Sequence, residues 1–94
     1  MTVKHNENND NGKFYLDNDG KEIGEMTYII IEKNIMDINH TLIEEEHRGK
    51  NLGLELVEAG VKYAREHQLK ILPTCPFVHK VFQENKNYSD VVSK

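Results

Sequence analysis

The sequence predicts a mixed α/β (α+β) domain of order βββαβα, and three observations predict it. Apolar side chains alternate with a period of two across residues 14–43. Across residues 52–67 the period changes to about 3.6. Two prolines, Pro73 and Pro76, then bracket a short break before a second apolar helical stripe. At 94 residues the chain holds one domain, because two separate cores would each be too small to be stable.

Residues 1–12 hold four Asn and only two apolar side chains, so they are expected to be a flexible leader, with one ordered domain over 13–94. Phe14-Tyr15-Leu16 is a short strand closed by the turn residues Asp17-Asn18-Asp19-Gly20. The second strand runs from Glu22 to Ile31. Met26, Tyr28 and Ile30 point one way and Ile29 and Ile31 the other, which predicts burial on both faces of its later half. After Glu32-Lys33-Asn34, a third strand from Ile35 to Ile43 places Met36, Ile38, His40 and Leu42 on one face and Asp37, Asn39 and Thr41 on the other. Short connections make these strands an antiparallel meander.

From Leu52 to His67 the apolar positions Leu52, Leu56, Val57, Ala59, Gly60, Val61, Tyr63 and Ala64 fall on one broad side of a helix, and Glu55, Glu58, Lys62, Arg65 and Glu66 on the other. Lys70-Ile71-Leu72 returns to the sheet after this crossover. The second helix follows Pro76, with Phe77, Val78, Val81 and Phe82 as its expected buried stripe. Tyr88 to Val92 is expected as a terminal strand or tail.

The charge balance is 12 basic against 16 acidic residues, a net −4. That sign argues against a general nucleic-acid binder, whose affinity comes from neutralising phosphates. The longest apolar run, Tyr28 to Ile31, is far short of the ~20 residues that span a bilayer. The single cysteine, Cys75, has no internal disulfide partner, which fits a reducing, cytoplasmic compartment. An exposed strand edge would allow a weak dimer as well as a monomer.

The segment Glu44 to Gly53 joins a strand to an amphipathic helix, where free amides and the positive end of the helix dipole suit an anion. Gly49 and Gly53 allow close approach, and Arg48 and Lys50 add charge. The same residues also suit an ordinary strand-to-helix connection. Arg48-Gly49-Lys50-Asn51-Leu52-Gly53 resembles the Q/R-x-x-G-x-G/A motif of the GNAT N-acetyltransferases, departing from it at Asn51, where the family has Gly. Asn is the side chain that best tolerates positive φ. A subgroup of very short GNAT-like proteins is similar over Lys13 to Val92, through His40-Thr41, Cys75-Pro76-Phe77-Val78 and Tyr88-Ser89-Asp90-Val91. The resemblance implies a GNAT-like mixed sheet with acetyl-CoA as cosubstrate and no metal. Arg48, Gly49, Lys50, Asn51, Leu52 and Gly53 would hold the pyrophosphate. The strand segment His40, Thr41, Leu42 and Ile43 would meet the pantetheine arm and the thioester, and an amine or protein would be the acceptor.

The chemistry-bearing candidates are Cys75, His40 and His79. A thiol beside a helix N-terminus favours thiolate, and His79, four residues on, would lie near it; a lone cysteine also serves as a small inert core residue. His40 is either a partly buried histidine or a proton shuttle. Glu44, Glu45 and Glu46 form a solvated acidic loop or attract a cationic acceptor. Zinc is a poor reading, since Cys75 and His79 make only two ligands. Larger GNAT enzymes place an acidic tyrosine where Phe82 stands, and have helices between their first strands. Both absences keep a non-catalytic acetyl-CoA-binding module open beside the enzyme, and a purely structural domain behind both.

Overall fold

In the computed structural model, which describes residues 1–93, five strands form one sheet in the order β1-β2-β3-β4-β5. The strands are β1 (Thr2–Asn8), β2 (Asn11–Asn18), β3 (Lys21–Ile31), β4 (Ile35–Ile43) and β5 (Lys70–Pro73). The first four form an antiparallel meander, and β5 adds in parallel to β4 after the helical crossover. Helix α1 (Leu52–Glu66) makes the crossover and α2 (Pro76–Glu84) follows β5. Both helices lie on one face of the sheet, and the other face is uncovered by the described elements.

The alternation of β2 and β3 puts Phe14, Leu16, Met26 and Tyr28 against α1, whose Leu56, Val57, Val61 and Ala64 close the core. Truncating a fully buried side chain such as Leu56 to Ala costs ~2–5 kcal/mol. Ile29 departs from expectation: it is 40 % exposed on the uncovered face, so the later half of β3 is buried on one side only.

Residues 2–8, expected as a flexible leader, are instead the edge strand β1, paired with β2 from Thr2↔Asp17 to Asn8↔Asn11. One side chain accounts for the order. His5 stacks on Phe14 at 4.1 Å, meets the Tyr63 ring edge-on at 4.7 Å, and places Nε2 2.6 Å from the Tyr28 hydroxyl. Tyr63 in turn donates to Glu7 at 2.7 Å. These contacts offset the ordering entropy that the polar composition leaves uncompensated.

A second difference is a β-bulge in β4. Tyr28 pairs with Ile38 and Thr27 with His40, so Asn39 is an extra residue. Side chains beyond it change faces: Thr41, opposite Met26, joins the helix face, while His40 and Leu42 move to the uncovered face. Thr27 Oγ1 bonds Asn39 Oδ1 at 2.6 Å and pins the bulge. The chain end forms a 3₁₀ turn over Lys86–Val91 where a strand or tail was expected. Arg65 grips Asp90 through two nitrogens at 2.8 and 2.9 Å, and Val91 is buried.

Burial holds the His5 imidazole below its ordinary value, with His67 acting in the same direction and Glu7 opposing. The folded state therefore favours neutral His5. Its contribution is complete above the ordinary range near 6.5 and is lost as pH falls through the lower folded value. We expect β1 amides to lose hydrogen-exchange protection on acidification before those of β3 and β4. Replacing His5 with Ala should remove that protection even at neutral pH.

Candidate functional site

Parallel pairing of β5 with β4 stops at Ile38↔Pro73, and one further bond, Cys75 N–H to Ile38 C=O at 2.9 Å, ends it. Pro76 then turns the chain into α2. At the other end of the gap, Arg48 Nε donates to Ile43 C=O at 2.9 Å. Between these two links the outer edge of β4 has no backbone partner among the described residues.

The gap opens into a cleft of about 580 Å³ lined by Thr41, Leu42, Ile43, Arg48, Gly49, Asn51, Leu52 and Gly53. Of the candidate residues from strand, loop and helix, all but two thus line one cleft. His40 lies on the far face, and Lys50 is exposed outside the lining. The loop backbone is shaped for this approach. Gly49 has φ +82° and Asn51 φ 60°, so Asn51 adopts the left-handed conformation that Gly would supply. The first turn of α1, Leu52 to Leu54, lines the cleft, which brings the positive end of the helix dipole and amides without intrahelical acceptors to it.

Three further cleft residues, Phe77, Val81 and His47, were not legible as such. Phe77, expected in the core, is 40 % exposed, and Leu42 is 48 % exposed; both line the cleft as unusually open apolar side chains. The Phe77 ring rests on Gly53, where a Cβ would stand 2.7 Å from its tip, so Gly53 is needed for the ring to cover the start of α1. Val81 forms the floor. His47 lines the cleft with its Nδ1 buried and without a partner among the described residues. Only the i, i+4 spacing of Phe77 and Val81 pointed to a common face for two of the three.

The three chemistry-bearing candidates do not form one cluster. Cys75, at the N-cap of α2, is 6 % exposed, and its Sγ donates to Thr41 Oγ1 at 3.5 Å, directly behind the cleft wall. His79 is exposed, and its link to Cys75 is through backbone, N–H to C=O at 2.9 Å. His40 sits on the other face of β4, its Nε2 3.5 Å from Glu25. Tyr88 turns away, with its hydroxyl bonded to Glu58 at 3.3 Å and its ring tilted on Phe82. Among the described residues no cluster of three or more His, Cys, Asp or Glu is arranged to hold a metal, and no helix is long and apolar enough to cross a membrane.

The family model described as GCN5-related N-acetyl-transferase matches residues 13–91. The chain belongs to this family. The human protein NATD1 is 30 % identical over 60 residues, which are 64 % of this chain and 53 % of that protein. The match thus spans about half the length of its curated relative. In structure, a GCN5-like protein from Staphylococcus aureus superposes with TM-score 0.77 at 33 % identity, covering 98 % of this chain and 87 % of that one. The fold also matches that of aminoglycoside N-acetyltransferase AAC(6')-Iy, whose structure holds CoA, with TM-score 0.58 and 14 % identity over 79 % and 65 % of the two chains. The GNAT fold expected from the sequence is therefore present, in a short form whose first four strands are joined by turns alone.

The left-handed backbone at Asn51 sets a stability test. Asn51→Gly should leave unfolding free energy nearly unchanged or slightly raised. Asn51→Val should lower it by ~1–2 kcal/mol, the cost of that conformation for a side chain with a branched Cβ. Urea denaturation of the three proteins checks both.

Proposed function

We propose that the protein is an acetyl-CoA-dependent N-acyltransferase whose coenzyme occupies the cleft between β4, α1 and α2. The observation that carries this reading is the convergence of three recognition elements in one cleft. These are a run of helix and loop amides for the pyrophosphate, an unpaired strand edge for the pantetheine amides, and the exposed Leu42 and Phe77 for its apolar parts. Gly49, Asn51, Leu52 and Gly53 hold the pyrophosphate through backbone, and Lys50 adds charge from the rim. Arg48 is first a strut, because its Nε is already bonded to Ile43, and its remaining guanidinium donors serve the anion. The strand edge from His40 to Ile43 pairs with the coenzyme arm and brings the thioester to Thr41.

In the transfer, the acceptor amine gives up a proton and its nitrogen attacks the thioester carbonyl. The C–N bond forms, the C–S bond breaks, and the CoA sulfur leaves with a proton from the amine. A backbone amide of β4 stabilises the oxyanion. Cys75 lies one side chain beyond Thr41, where it either sets the position of Thr41 or carries the acetyl group in a two-step route. In that route its Sγ attacks the thioester carbonyl as its proton leaves with the CoA sulfur, and it then yields the acetyl group to the amine, whose proton returns to Sγ. The exposed position of His79 gives it a weaker part than its sequence spacing suggested. The expected setting is cytoplasmic, with a monomer or weak dimer as the working unit.

A second reading, a non-catalytic coenzyme-binding module, is favoured by one observation. Phe82 has no hydroxyl, and the nearby Tyr88 hydroxyl is committed to Glu58. Amide-resolved NMR with acetyl-CoA and with CoA tests the shared core of both readings. Shifts are expected over Arg48 to Gly53 and at Thr41 to Ile43, extending to Cys75 only with the acetylated form. An unshifted loop at millimolar coenzyme sinks both. Cys75→Ala should abolish transfer to an amine while changing coenzyme affinity less than about twofold; an unaltered rate removes the thiol from the mechanism. Coenzyme binding without CoA release across an amine panel decides for the module.

A further inference from the structure

Resting on the acyltransferase reading, we propose that Glu25 is the acceptor-side residue, receiving the ammonium group of an alkylamine on the uncovered sheet face and orienting His40 to take its proton. The β4 bulge creates this arrangement by turning His40 and Leu42 out of the helix face. Leu42 pairs in register with Glu25 and also lines the coenzyme cleft, so Glu25 stands at the point where the uncovered face meets the cleft. Glu25 Oε2 lies 3.5 Å from His40 Nε2, while its Oε1 lies 3.6 Å from Lys13. Lys13 is more tightly held by Glu22, at 2.9 Å. Glu25 is thus fixed at one oxygen and has the other directed at the imidazole.

A carboxylate at Nε2 favours the tautomer with its proton there, leaving Nδ1 as the nitrogen that accepts. The charge on this face suits the acceptor. Asp17, Glu22 and Glu25 are set against Lys4 and Lys13, with Lys4 tied to Asp17 at 3.1 Å. One negative charge remains beside His40, and Leu42 offers apolar surface for an alkyl chain. The ammonium loses one proton to His40, which returns it to water. The freed amine then attacks the thioester from the face opposite the helices, and its second proton leaves with the CoA thiol. Nothing in the described chain walls this face, so the ammonium is recognised chiefly by Glu25.

The probe is spermidine, titrated into the intact protein and followed by amide NMR, with succinate as the control of opposite charge. Spermidine should shift Glu25, Thr27 and His40, and Glu25→Gln should weaken that binding at least fivefold. Shifts centred on Glu44 to Glu46, or binding indifferent to Glu25→Gln, overturn the proposal. A parallel acetyl-CoA titration separates the two levels. Coenzyme shifts without spermidine shifts at Glu25 refute this inference alone, and spermidine shifts without coenzyme shifts refute the acyltransferase reading alone. In turnover, Glu25→Gln should lower kcat about tenfold or more and raise KM for the amine, with acetyl-CoA affinity unchanged. Glu25→Asp should restore part of the rate. Adding Glu25→Gln to His40→Ala should cost nothing further if Glu25 acts through His40 in the chemical step, and full additivity in kcat overturns that part. A loss of acetyl-CoA affinity or of thermal stability in step with kcat would mark Glu25 as merely structural.

Discussion

The extra residue in β4 is the constraint on which the rest of the site depends. A strand has a period of two, so inserting Asn39 exchanges the faces of every side chain that follows it. Thr41 is thereby carried inward to Cys75, and His40 and Leu42 outward to Glu25. The same irregularity coincides with the end of the β4–β5 ladder at Ile38↔Pro73. A regular β4 paired along its full length with β5 would bury the edge that the cleft needs, and would leave no gap for a ligand to enter the sheet. The Thr27–Asn39 bond shows that the bulge is held by a specific partner.

Much of the architecture was legible because its signals are periodic. The bounds of β4 and the start of α1 follow directly from the switch between strand and helix spacing, and the return strand at Lys70 to Leu72 follows from the pattern after α1. The loop from Arg48 to Gly53 was legible as a motif, since Gly49 and Asn51 have conformational reasons to be there. What stayed hidden was non-local. The bulge cannot be read from apolar alternation, because Asn39 and His40 are both polar and either could be the inserted residue. That single slip of register is why His40 was placed on the wrong face. Phe77 was read as core because an aromatic at helical spacing usually is, but its position over Gly53 depends on where α2 meets α1. The order of β1 was hidden for a similar reason. Composition reports average burial, whereas the strand is held by one imidazole among three rings donated by β2, β3 and α1.

The two ends of α1 divide the molecule's work. Its N-terminal end presents amides and the dipole to the cleft, while its C-terminal end carries Tyr63 and Arg65, which anchor the two ends of the chain. Tyr63 reaches Glu7 in β1, and Arg65 reaches Asn87 and Asp90 in the closing turn. The Tyr-x-Asp-Val ending therefore has a structural account that needs no role in chemistry. Asp90 answers Arg65, Val91 enters the core, and Lys70 reaches the Asp90 carbonyl.

Under the proposed function, the β4 backbone is the partition between the two substrates. On the helix side, recognition is built from amides whose positions are fixed by a helix, a left-handed Asn51 and an arginine strut, so it is rigid and largely independent of side-chain choice. On the uncovered side it is built from side chains on a flat sheet, with Glu25, His40 and Leu42 standing alone where longer connections would supply walls. Rigid backbone recognition favours one ligand with a long, regular polar arm. A few exposed side chains favour a class of ligand, a cation with an apolar stem, over any one member of it. Under that reading, a sheet whose first four strands are joined by turns alone keeps a demanding coenzyme site while giving up acceptor selectivity, because the two sites draw on different parts of the fold and only β4 is common to both.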